Sequence, residues 1–174
     1  MKNILFRCIS MMVCAAMLIG CFSTVGLAAK KVAVDQVYDF EAETLEINSG
    51  IYTIEGNALY NRDTSTSKPG DGELGDMTLN FTVKKDALYH IWALAKPNSA
   101  TKSVYVSLNK GAYSVVNFSM NMSEFTYVKL GSVQCAAGDA VEVNISSCNG
   151  WFYIDKFTVA IDGYNLKNPD GTAA

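Results

Sequence analysis

Hydrophobic and polar residues alternate with a period of two along most of this chain. Met77, Leu79, Phe81 and Val83 alternate with Thr78, Asn80 and Thr82, which predicts a strand with one face buried and one face wet. Val104, Val106 and Leu108 repeat the pattern against Tyr105 and Ser107. So do Val116, Phe118, Met120 and Met122 against Asn117, Ser119 and Asn121, and Val141, Val143 and Ile145 against Glu142, Asn144 and Ser146. Stretches 87–95 and 126–133 read as more fully buried strands, and 152–161 as the last long one. Turn residues separate them at Lys84-Lys85-Asp86, Pro97-Asn98-Ser99, Asn109-Lys110-Gly111, Ala137-Gly138-Asp139 and Asn149-Gly150. No segment sustains a helical period, so the pattern predicts an all-β fold, a sandwich or barrel of short strands. The polar run 61–76 is too long for a hairpin turn and reads as a surface loop.

The two ends of the chain follow other rules. Lys2 and Arg7 precede an uncharged apolar run, and small residues follow around Gly26-Leu27-Ala28-Ala29. This is the form of a secretory leader over residues 1–29, removed on export. Leu18-Ile19-Gly20-Cys21 offers a competing site, since it resembles a bacterial lipoprotein box that would leave a lipidated Cys21 and a membrane anchor. The folded module is expected over 30–162. Residues 163–174, with Gly163, Pro169 and Gly171, have the composition of a flexible tail.

Charge narrows the partners. The chain carries 14 Lys and Arg against 17 Asp and Glu, a formal net charge of −3, and loss of Lys2 and Arg7 makes the balance two charges more negative. Phosphate binding needs concentrated positive charge, so nucleic acid is not an expected partner. Arg62 is the one arginine beyond the leader, which rules out clamps built from several guanidinium groups. Cys135 and Cys148 are the two cysteines beyond the leader. They flank a turn and the strand that leaves it, so they lie more than about 20 Å apart, whereas bridged Cα atoms sit within ~7 Å. Two buried free thiols are expected.

Catalytic constellations are scarce. His90 is the single histidine and sits inside a strand, so Ser-His-Asp and His/Cys metal arrangements lack their parts. What remains are carboxylates and aromatic rings. Phe40-Glu41-Ala42-Glu43 reads as the first strand, with Glu41 and Glu43 on one face about 6.6 Å apart. Their repulsion is roughly 2.5 kcal/mol at an effective dielectric near 20. Two readings stay open: solvated glutamates, or a pair relieved by a cation, for which calcium with its oxygen ligands is the natural candidate. Asp155 lies among apolar neighbours in the last strand and wants a partner. Because first and last strands of a sandwich often pair, Asp155 could meet Glu41 and Glu43.

The succession Phe40-Glu41-Ala42-Glu43, Tyr89-His90-Ile91-Trp92, Ser103-Val104-Tyr105-Val106-Ser107, Phe125-Thr126-Tyr127-Val128-Lys129-Leu130, Ala137-Gly138 and Ile154-Asp155-Lys156 resembles carbohydrate-binding modules of families six and thirty-five. That resemblance implies a β-sandwich jelly roll of two antiparallel sheets that binds polysaccharide without catalysis. It also implies a structural calcium on Glu41, Glu43 and Asp155. The pattern departs from relatives where Leu94 replaces a frequent arginine, and where Phe125 and Tyr127 replace a Trp-x-Trp pair.

A ring that stacks on a sugar must project from the sheet. Trp151 beside Asn149-Gly150 is the first candidate, with Asn149 as a hydrogen-bonding amide and Phe125 and Tyr60 as neighbours. Each ring has packing as its competing role, and the sheet face carrying Tyr105 and Tyr113 is the alternative site. The expected protein is thus a secreted, monomeric polysaccharide-binding module. The competing reading is an envelope or adhesion domain that binds a protein, anchored if Cys21 is lipidated.

Overall fold

The computed structural model describes residues 36–49, 51–62, 67–98, 102–118 and 124–174. They belong to one compact unit, Ala33–Ala174; the leader and Cys21 lie outside the described residues. Eleven strands follow in order: β1 Val37–Glu41, β2 Glu46–Ile47, β3 Tyr52–Glu55, β4 Ala58–Asn61, β5 Met77–Thr82, β6 Ala87–Pro97, β7 Lys102–Leu108, β8 Ser114–Phe118, β9 Thr126–Cys135, β10 Ala140–Asn149 and β11 Phe152–Ile161. The architecture is all-β, a jelly-roll sandwich of two antiparallel sheets. Sheet A runs β3-β4-β11-β6-β9 with β1 also on β11, and sheet B runs β2-β5-β10-β7-β8.

Alternation explains the interior. Tyr89, Ile91, Ala93 and Ala95 of β6 and Phe152, Ile154, Phe157 and Val159 of β11 face Met77, Leu79, Val104, Val106, Val143 and Ile145 of sheet B, all essentially inaccessible. Burying one such side chain contributes about 1.5–3 kcal/mol. Phe118 of β8 meets Phe152 edge to face, with centroids 5.1 Å apart at 89°. β9 differs from its expected burial. It is an edge strand of sheet A, and its residues alternate between half-buried, buried and exposed.

First and last strands pair, with Phe40 opposite Phe157 and Glu41 opposite Lys156. One local expectation needs correction. Strand β1 ends at Glu41, and Ala42–Thr44 forms a single 3-10 turn that buries Ala42. Glu41 and Glu43 therefore do not share a strand face. The turn carries the chain from sheet A to β2 in sheet B, where Glu46 pairs with Thr78.

Loop residues 67–76 lie across sheet B. Gly75 N–H donates to Asn144 Oδ1 and Ser147 N–H to Asp76 Oδ2, and a Cβ at Gly75 would stand 2.6 Å from the Ile145 backbone. The polar outer residues Asn144, Ser146 and Ser107 are buried. Residues 163–174 also return to the body in place of a loose tail. The Tyr127 N–H donates to Asn168 Oδ1 at 2.8 Å, and Lys167 bridges Ala173.

Candidate functional site

The outer face of sheet A carries a cross-strand row. Thr53 is opposite Tyr60, Tyr60 opposite Tyr153, and Tyr153 opposite Lys96. Phe125 extends the row by one position, because Ala95 pairs with Thr126 at the start of β9. At about 4.8 Å between neighbouring strands, the row spans roughly 19 Å. The alternation that sends Phe152 and Ile154 into the core sends Tyr153 outward.

Trp151 stands beside this row, two residues before Tyr153 and between the ends of β4 and β6. Its N–H donates to the Asn61 carbonyl and its carbonyl accepts from the Asn98 N–H, both at 2.9 Å. These bonds tie the turn to the ends of β4 and β6. The turn at Asn149-Gly150 places its left-handed residue at Trp151, with φ of +68°. A bulky residue in that region is held there by its surroundings and marks a place worth functional attention. The residue is 41% exposed, and its ring meets Tyr60 edge-on at 6.5 Å and 80°.

Tyr60 has a supporting role. It is 6% exposed, stacked on Tyr153 with centroids 4.4 Å apart at 20°, and approached by the Arg62 guanidinium at 5.5 Å. Asn98 Nδ2 donates to its hydroxyl. With its ring so occupied, Tyr60 orients the accessible rings instead of offering its own face. Arg62 pairs with Glu55, and Tyr153 donates its hydroxyl to the same carboxylate.

Beyond Tyr153 lies a cavity of about 440 Å³ lined by Glu55, Gly56, Asn57, Ala58, Lys96, Phe125, Tyr153 and Asp155. It joins two aromatic walls to an amide, carboxylates and an ammonium, the mixture of apolar body and few polar groups found in ligand pockets. The structure thus connects Trp151, Tyr60 and Phe125 through Tyr153 and Lys96, two residues that sequence reasoning missed. Strand alternation identifies Tyr153 as outward-facing, but only the pairing of four strands shows what stands beside it. Asn149 ends β10 opposite Ser103 in sheet B, two residues before Trp151.

The carboxylates expected to hold calcium are arranged differently. Glu41 ends β1 opposite Lys156, and the register of β11 on β6 slips at Asp155. This bulge leaves Asp155 lining the cavity with Lys96 and Tyr153. Glu43 sits on the 3-10 turn. Among the described residues no three His, Cys, Asp or Glu are grouped to hold a metal; the turn and the bulge are the two departures from a plain strand pair that separate these three. One feature does suit a hard cation: Glu43 Oε2 is buried without a hydrogen-bond partner.

The remaining candidates have structural roles. His90 contacts Ser132 Oγ at 2.8 Å and Asp162 Oδ1 at 2.9 Å, and its hydrogen bond holds the Asp162 carboxyl below the usual carboxylate range. Cys135 and Cys148 are free thiols. Burial pushes the Cys135 thiol up, whereas Cys148 is half-buried, less enclosed than expected. On sheet B, Tyr113 is buried and donates to the Glu73 carbonyl, so the alternative sugar face is partly covered by its own loop.

Comparison with known proteins bears on this arrangement. No protein-family model matches the sequence, and no curated protein matches it. Among solved structures, the chain is similar to a Podospora anserina GH26-CBM35 β-(1,4)-mannanase, at 26% identity over 76% of this chain and 29% of that one, with a TM-score of 0.52. It also shares its fold with a GH115 4-O-methyl-α-glucuronidase, at 13% identity over 72% of this chain and 18% of that one, TM-score 0.52. A family 35 carbohydrate-binding module from Clostridium thermocellum aligns over 71% of this chain and 98% of its own, at 16% identity and a TM-score of 0.46. The chain spans less than a third of the length of the two enzymes. The likeness to the Podospora anserina protein supports the family thirty-five side of the resemblance read from the sequence.

Proposed function

We propose that this protein is a non-catalytic polysaccharide-binding module, and that Trp151, Tyr153 and Phe125 form its contact surface. The observation that carries the reading is the row of rings on the outer face of sheet A, flanked by a Trp in the left-handed region. Flat rings suit the apolar faces of pyranoses, and Asn57, Asn149 and the carboxylates supply partners for hydroxyls. The test is affinity electrophoresis of the chain lacking residues 1–29 through gels containing a polysaccharide panel. β-1,4-Mannan belongs in that panel because the similar Podospora anserina enzyme is a mannanase. Retardation by at least one glycan is expected; free migration through all of them overturns the reading in favour of a protein-binding adhesion domain.

The proposal includes export through the leader at 1–29, with lipidation at Cys21 as the alternative that mass spectrometry of the secreted protein separates. It also includes calcium bound at Glu43, a reading supported by its buried oxygen without a hydrogen-bond partner. Calcium at a hundredfold excess over its Kd would stabilise the fold by about 2.7 kcal/mol. Chelation should therefore lower Tm, and Glu43→Gln should remove the difference. Equal melting with calcium and with chelator would remove calcium from the account.

A further inference from the structure

The ammonium of Lys96 occupies the ring faces that a sugar would need. Its Nζ lies 5.4 Å from the Phe125 centroid and 5.9 Å from the Tyr153 centroid, in the cavity those two rings wall. Among the described residues, no carboxylate forms an ion pair with it. The register that sets Lys96 opposite Tyr153 and next to Phe125 makes this a built contact between neighbouring strands. A cation over two rings is held by their quadrupoles, while its alkyl stem lies along apolar surface.

We propose that Lys96 is the specificity-determining residue of the glycan site, a gate that must leave Phe125 and Tyr153 before a neutral pyranose can stack on them. This rests on the glycan-binding reading above. Binding then exchanges two cation–π contacts for sugar stacking, and the affinity observed is lower than the bare aromatic cavity would give. Glycans contacting only Trp151, which lies beside the row against Tyr60, do not displace the ammonium. They carry no such penalty.

The experiment compares wild type, Lys96→Met and Lys129→Met by affinity electrophoresis on the neutral members of the polysaccharide panel. Met keeps an unbranched stem and removes the charge. Lys129 makes the same kind of contact with Trp92 at 5.9 Å, away from the cavity, and is the control. Tm of all three checks folding. Lys96→Met is expected to bind at least one neutral glycan roughly five- to thirtyfold tighter, with Lys129→Met unchanged. Lysine side-chain NMR of the free wild type should show ring-shifted Lys96 protons that lose their shift in Phe125→Leu and on glycan addition. Unchanged or weaker binding by Lys96→Met overturns the gate alone, because wild-type binding still stands. Absence of binding by both wild type and Lys96→Met overturns the glycan reading and the gate with it.

Discussion

Phe152 and Tyr153 are adjacent in β11 and live in different worlds. Phe152 points inward, fully buried, with Phe118 at 5.1 Å and Tyr52 at 6.4 Å around it. Tyr153 points outward and stacks on Tyr60, with Lys96 over its ring and a cavity beside it. Both regions are aromatic, so residue type does not separate core from site. The pleat does, because each step along a strand changes the face. Rings of the inner set close on one another from both sheets, whereas the outer set belongs to one sheet and stays open on its solvent side.

The largest expected effect divides these two sets. Phe152→Ala should destabilise the fold by about 3–5 kcal/mol, through lost burial and the cavity left behind. Tyr153→Ala should cost about 1 kcal/mol from the lost ring pair while reducing glycan retention. Thermal melting and affinity electrophoresis on both variants check this. A Tyr153→Ala protein as unstable as Phe152→Ala would erase the distinction between core and site.

Alkaline titration tests the burial of tyrosines on both faces of sheet A. Burial pushes the phenols of Tyr52, Tyr89 and Tyr127 above the ordinary tyrosine value, with the neighbouring Tyr38 adding to the rise at Tyr89. A group whose pKa is raised by folding stabilises the fold fully below its unfolded value, near 10. That stability is lost as pH climbs from about 10 through the folded value, because the unfolded chain gives up its proton first. Stability should therefore fall above about pH 10. In ultraviolet difference spectra these tyrosines should ionise with unfolding; their ionisation in a fully folded protein at pH 10 would contradict the packing described.

The strands were legible because alternation is a local signal. Phe152–Ile161 has the bounds that its apolar run implies, and pairing of β1 with β11 follows from the habit of sandwich ends. What escaped reading depends on several strands at once or on one residue of irregular backbone. The 3-10 turn at Ala42–Thr44 interrupts a run that alternates well enough to pass for strand. The bulge at Asp155 shifts one register by a single residue, and Trp151 takes the left-handed conformation beside a glycine that would adopt it more readily. Trp151 is legible from its turn. Tyr153 and Lys96 meet only through the pairing of β4, β11 and β6, which no local pattern encodes.

Trp151 gives the most direct test, because it is exposed and contributes little to the core while it flanks the row at Tyr60. Affinity electrophoresis and thermal melting of Trp151→Ala, on the polysaccharide that most retards wild type, are the measurement. The account expects roughly a tenfold or larger loss of affinity, with melting close to wild type. A variant that melts normally and is retarded as strongly as wild type would contradict it.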